Sequence, residues 1–289
     1  MRAVESVTSG YVERDGVKLF WEQFGDGEPT IALLPTWSIA NSRHWKHQVA
    51  YLARHCRVVT FDGRGCGRSD RPSDPSAYSY VEFAADALAV LDATETERAV
   101  LAGLSMGAVW ALQVALDEPG RVSGVICFGP SIALAPMPAD RLEYPFDERL
   151  DSTEGWAKYN RYYWMEGGYP DFLDFFFGRF FPEPHSTKQI EDFIGWGLEI
   201  EPATLVATDE GFVPVGHGPF RAVCPRVSVP VLVIHGDKDD MSPHAAGRAL
   251  AELTGGQLVT ITGGGHGVLA RDPVMVNRLI KRFVDRVGR

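Results

Sequence analysis

Ser105 stands in Gly103-Leu104-Ser105-Met106-Gly107, between the apolar run Ala99–Leu104 and a segment whose Val109, Leu112 and Leu116 share one helical face. A serine hydroxyl is a weak nucleophile until a neighbouring base takes its proton and an anion holds that base in place. Later loops carry residues of both kinds. Asp237, Asp239 and Asp240 follow the apolar run 229–235, and His266 lies among glycines in Thr262-Gly263-Gly264-Gly265-His266-Gly267. A carboxylate at the C-terminal edge of a strand can reach a histidine ring. Serine, acid and histidine brought together would attack a carbonyl carbon, form an acyl-enzyme and release the acid to water.

The other histidines lack such a context. His44, His47 and His55 are expected in or beside a surface helix, His185 and His217 in an aromatic-rich insert, His235 before the acidic loop, and His244 in a helix. No histidine pair shows the H-x-x-x-H or H-E-x-x-H spacing of a metal site, so neither metal nor cofactor is expected. Cys56, Cys66, Cys127 and Cys224 are spread singly and read as reduced core residues.

The elements that must position these groups follow from the pattern of apolar residues. Ala99–Leu104 reads as a buried strand and the segment after Ser105 as a helix, which puts the serine at a strand-to-helix corner. Gly103 and Gly107 flank it where a Cβ would collide as strand and helix cross. Strands are expected over 30–34, 57–61, 122–128, 229–235 and 258–261, and a hairpin around Asp15-Gly16. Helices are expected over 42–54, 80–91 and 273–287. The glycine-rich loop from Asp62 to Asp70 reads as a tight turn whose arginines and Asp62 are structural, satisfying loop carbonyls, rather than catalytic.

Gly103 to Gly107, Asp62-Gly63-Arg64-Gly65-Cys66-Gly67-Arg68-Ser69, His235-Gly236-Asp237-Lys238-Asp239 and Gly264-Gly265-His266-Gly267 together make the chain resemble the α/β-hydrolase family over nearly its whole length. The order serine, acid, histidine is the one that family uses. The resemblance implies an α/β class and an α/β-hydrolase fold, with a mostly parallel eight-stranded sheet flanked by helices and an inserted helical cap. Residues 1–130 and 216–289 would form the core and 131–215 the cap. By the same resemblance Ser105 is the nucleophile, His266 the base, and Asp239, three residues after Gly236, the acid, with Asp237 and Asp240 as rivals. The oxyanion donors carried over are the backbone amides of Met106 and Trp37. Because Pro35-Thr36 stands where relatives carry His-Gly, Thr36 is an alternative to Trp37.

The implied activity is that of a carboxylesterase-like serine hydrolase acting on an ester, lactone or thioester. C–C bond hydrolases, acyltransferases and cofactor-free perhydrolases use the same three residues, and some relatives have become small-molecule sensors. Serine rather than aspartate at the corner argues against haloalkane dehalogenase and epoxide hydrolase chemistry. Of 32 aromatic residues, 16 fall within 141–200, which points to a water-poor site for a small apolar or aromatic ester-like substrate, about a third of these rings touching it. A net charge of −10 disfavours nucleic acid and anionic membrane as partners. With no membrane-length apolar run and no signal-peptide pattern at the start, a soluble cytoplasmic protein is expected; oligomeric state is open.

Overall fold

Asp15 and Gly16 both take left-handed backbone conformations (φ 53° and 76°), the geometry a two-residue hairpin turn requires. They join β1 (Thr8–Arg14) to β2 (Val17–Phe24), the antiparallel edge of the sheet. The remaining strands are β3 (Thr30–Leu33), β4 (Arg57–Phe61), β5 (Ala99–Leu104), β6 (Val122–Phe128), β7 (Val231–Gly236) and β8 (Gln257–Ile261). In this computed structural model, which describes residues 4–212 and 217–288, they form one sheet in the order β1-β2-β4-β3-β5-β6-β7-β8. From β4 through β8 every pairing is parallel.

β5 and β7 are buried along their whole length, as continuous apolar runs in a parallel sheet covered on both faces must be. One face packs against helices Tyr80–Ala93, Met106–Asp117 and His244–Thr254, the other against Lys46–Leu52 and Pro273–Val287. The chain runs outward from β3 to β4 and then crosses back to β5 on the far side of β3. That reversal opens a crevice at the carboxyl ends of β3 and β5, where α/β sheets bind ligands.

Two details differ from the sequence reading. The first turn of the helix expected over 42–54 is a 3-10 turn, Ser42–Trp45, which tucks His44 into the interior at 1% exposure rather than onto a surface. β7 starts at Val231, because Pro230 has no N–H to give a ladder and contributes only its carbonyl, to the Val125 amide. The segment between β6 and β7 is largely helical, its main helices being Tyr169–Phe180, Thr187–Gly197 and Pro202–Gly211. The expected boundary between cap and core at 215 and 216 lies outside the described residues.

The loop after β4 is a structural brace. Asp62 accepts the amides of Ser42 and Arg68 at 2.9 Å each. Arg64 makes a buried two-point pair with Asp86, both bonds 2.6 Å. Among the described residues, no helix is long and apolar enough to cross a membrane.

Candidate active site

Ser105 sits between β5 and helix Met106–Asp117 with φ 58° and ψ −114°, a conformation few non-glycine residues hold. The flanking glycines make that corner sterically feasible. A Cβ on Gly103 would lie 2.1 Å from the Gly107 carbonyl, and one on Gly107 would lie 2.2 Å from the Pro35 oxygen. Strand, helix and the loop after β3 therefore meet at backbone contact, which brings Thr36 and Trp37 beside the serine. Within the described structure no hydrogen bond uses the amides of Thr36, Trp37 or Met106. The Trp37 side chain takes a separate part, its indole N–H donating to Thr208 Oγ1 at 2.9 Å and so tying the β3 loop to helix Pro202–Gly211.

Asp239 follows β7 and is buried. Its Oδ1 accepts the amides of Met241 and Ser242, each at 2.8 Å. Its Oδ2 lies 2.7 Å from His266 Nδ1 and 3.0 Å from His235 Nε2. A carboxylate with four donors around it stays ionised. Burial pushes the Asp239 carboxyl upward, but the charge of His266 and the hydrogen bonds from both histidines overcome it and hold the group well below the usual carboxylate range. Because an ionised Asp239 only accepts, His266 carries its proton on Nδ1 and keeps Nε2 as a base.

Of the rivals in that loop, Asp237 accepts the Gly263 amide at 2.7 Å, and Asp240 lies 3.5 Å from Arg179. Neither reaches His266 through a hydrogen bond.

The histidine loop is held from above. The His266 amide donates to the Phe180 carbonyl at 3.1 Å, the Gly265 amide to Glu183 Oε1 at 2.6 Å, and the Phe180 ring meets the imidazole edge to face at 4.5 Å. From below it rests on Gly129 after β6, where a Cβ would lie 2.9 Å from Asp239 Oδ2 and 3.0 Å from His266 Nδ1.

Ser105 and His266 line one cavity of about 90 Å³, together with Thr36, Trp37 and Met106. Of the 16 aromatics in 141–200, Tyr159, Phe176, Phe177, Phe180 and Phe193 reach it. Burial raises the thiols of Cys56 and Cys224 to about 11, and all four cysteines are buried and unpaired, so none is poised as a reactive thiolate. Among the described residues, no three His, Cys, Asp or Glu side chains gather as metal ligands.

Two features escaped the sequence reading. His235 Nε2 faces two acceptors, Asp239 Oδ2 and the Ser242 carbonyl at 3.0 Å, so it carries a proton there and buttresses the acid. The only local signal was its place immediately before Gly236. The second feature is a polar cluster in the insert. Arg141 lines the cavity, Tyr159 donates its hydroxyl to Asp209, and burial raises the Asp209 carboxyl to about 6 against the Tyr159 bond and the Arg141 charge. No spacing in the sequence links residues 141, 159 and 209.

The fold is one that known proteins share. Residues 29–273 match the model of the family described as the alpha/beta hydrolase fold. The chain belongs to that family. It is 29% identical over 270 residues to the AB hydrolase superfamily protein YisY of Bacillus subtilis, covering 92% of this chain and 95% of that one. It is 25% identical to the bifunctional esterase/perhydrolase DCH of Acinetobacter calcoaceticus, over 95% of this chain and 99% of the other. Among solved structures it is similar to Est816, an N-acyl homoserine lactone degrading enzyme, with a TM-score of 0.78, 25% identity, and coverage of 95% of this chain and 100% of that one.

Proposed function

We propose that this protein is a serine hydrolase that cleaves a small apolar or aromatic carboxylic ester or lactone, with Ser105 as nucleophile, His266 as base and Asp239 as the anion that holds it. The observation that carries the reading is the 2.7 Å bond from His266 Nδ1 to Asp239 at the edge of the cavity lined by Ser105.

His266 Nε2 takes the Ser105 proton as Oγ attacks the carbonyl carbon, so that an Oγ–C bond forms and the carbonyl π pair moves to oxygen. The Met106 and Trp37 amides receive that oxyanion, each donor being worth about 3 kcal/mol of barrier. Collapse expels the alkoxide, which takes the proton from His266. Water, deprotonated by the same nitrogen, then releases the acid and restores Ser105. The helical segment between β6 and β7 serves as the cap, its phenylalanines excluding water while the acyl-enzyme stands.

The test is hydrolysis of p-nitrophenyl esters of increasing acyl length, together with fluorophosphonate labelling read by intact mass. Wild type should turn over and take one label, and Ser105→Ala should do neither while keeping its melting temperature. Full turnover by a clean Ser105→Ala preparation refutes the assignment. Similarity to an esterase/perhydrolase supports a second use of the acyl-enzyme, its capture by hydrogen peroxide to give a peracid. Peroxide-dependent peracid formation that requires Ser105 would show it.

A further inference from the structure

Among the described residues, Arg141 is the one Lys or Arg that lines the cavity, and no Asp or Glu lines it. Much of the same wall is aromatic, with Tyr159, Phe176, Phe177 and Phe180 among its residues. The guanidinium gives Nη1–H to the Met241 carbonyl and lies over the Trp156 ring, with Cζ 4.9 Å from its centroid. A guanidinium has five N–H donors in a planar fork that matches a carboxylate. Among the described residues, no other acceptor and no carboxylate at salt-bridge distance engages Arg141.

The nearby acids are occupied elsewhere. Asp209 accepts from Tyr159, and Asp239 is saturated by two histidines and two amides. A cation placed among apolar rings without an anion is costly. Burial draws the Arg141 guanidinium below its ordinary value, opposed by the fields of Tyr159, Asp239, Asp209 and Asp140. Arginine nevertheless stays charged.

We propose that Arg141 is a specificity residue that binds a free carboxylate on the substrate, so that the preferred substrates are small esters or lactones bearing an acid group away from the scissile carbonyl. The inference rests on the serine hydrolase reading for its chemistry but not for its binding.

Binding is therefore measured first, in Ser105→Ala, by calorimetry with benzoate and with its uncharged isostere benzamide. Benzoate should bind about tenfold tighter or more, the range of a charge-assisted hydrogen bond. Adding Arg141→Met should erase the difference, and Arg141→Lys, which keeps the charge but not the fork, should keep part of it. Turnover is measured in parallel on 3- and 4-acetoxybenzoate against the corresponding acetoxybenzamides. The ratio of kcat/KM for acid over amide should exceed one in wild type and fall about tenfold in Arg141→Met.

Equal binding of benzoate and benzamide overturns the anion site, as does a benzoate preference that survives Arg141→Met. Equal loss on acid and amide substrates also overturns it, leaving Arg141 as a strut for the Met241 carbonyl. Where Arg141→Met does not fold, Arg141→Lys decides by the same comparison. Benzoate preference without Ser105 labelling or turnover sinks the hydrolase reading alone, whereas labelling without benzoate preference sinks the anion site alone.

Discussion

Replacing Asp239 by asparagine exchanges one acceptor for a donor in a site where every acceptor is in use. Oδ1 takes two amides at 2.8 Å each, and Oδ2 faces His266 Nδ1 at 2.7 Å and His235 Nε2 at 3.0 Å. Asparagine can sit in two ways. With its NH2 toward Met241 and Ser242, two buried amide donors lose their acceptor, at about 1–3 kcal/mol each. With its oxygen there instead, the NH2 faces both imidazoles, and only one ring conflict with His235 results. The second arrangement is favoured, and it forces His266 Nδ1 to accept. The ring proton then moves to Nε2, the atom that takes a proton from Ser105 in the proposed mechanism. The expected result is a fall in kcat of about 10³–10⁴.

Steady-state hydrolysis of a p-nitrophenyl ester and the rate of fluorophosphonate labelling should fall together, since both need the same base. Retention of more than about a tenth of kcat in Asp239→Asn would refute this tautomer argument. Stability offers a second check. A carboxyl held below its unfolded value adds stability that is present above about pH 5 and is lost as pH falls toward and below the unfolded value of about 4. The stability gap between wild type and Asp239→Asn should therefore narrow in acid.

Gly129→Ala adds a Cβ 2.9 Å from Asp239 Oδ2 at φ 42°. Activity should fall about a hundredfold by displacing the pair, while the left-handed backbone itself costs about 1–2 kcal/mol; a shifted melting temperature with unchanged kcat would contradict this. Asp209 holds its proton in the folded state up to about pH 6 because it is buried, despite the hydrogen bond from Tyr159 and the charge of Arg141. Folded protein then binds more protons than unfolded protein between about pH 4 and 6, so stability falls as pH rises through that window. Asp209→Asn, which still accepts from Tyr159, should be more stable than wild type at pH 7.5 by about 3 kcal/mol, with the gap closing by about pH 4. Denaturant melts at the two pH values measure it, and a gap independent of pH would exclude Asp209 as its source.

The sequence alone determined the parts whose signals are local. β4, β5, β6 and the last helix, Pro273–Val287, have the limits their apolar runs and flanking breakers imply. Gly103 and Gly107 announced a corner at Ser105 because only glycine survives contacts near 2 Å. Tertiary structure decided everything that depends on which distant groups a loop meets. Three aspartates within four residues carry the same local signal, and only the fold gives Asp239 the His266 ring while Asp237 turns to Gly263 and Asp240 to Arg179. His44 reads as a surface residue until a 3-10 turn buries it. Five insert aromatics line the cavity and the others pack, because lining is a property of the helix face turned inward. Arg141 is the clearest case, since the Met241 carbonyl it meets comes from a chain segment that reaches it only when the sheet, the insert and the loops have assembled.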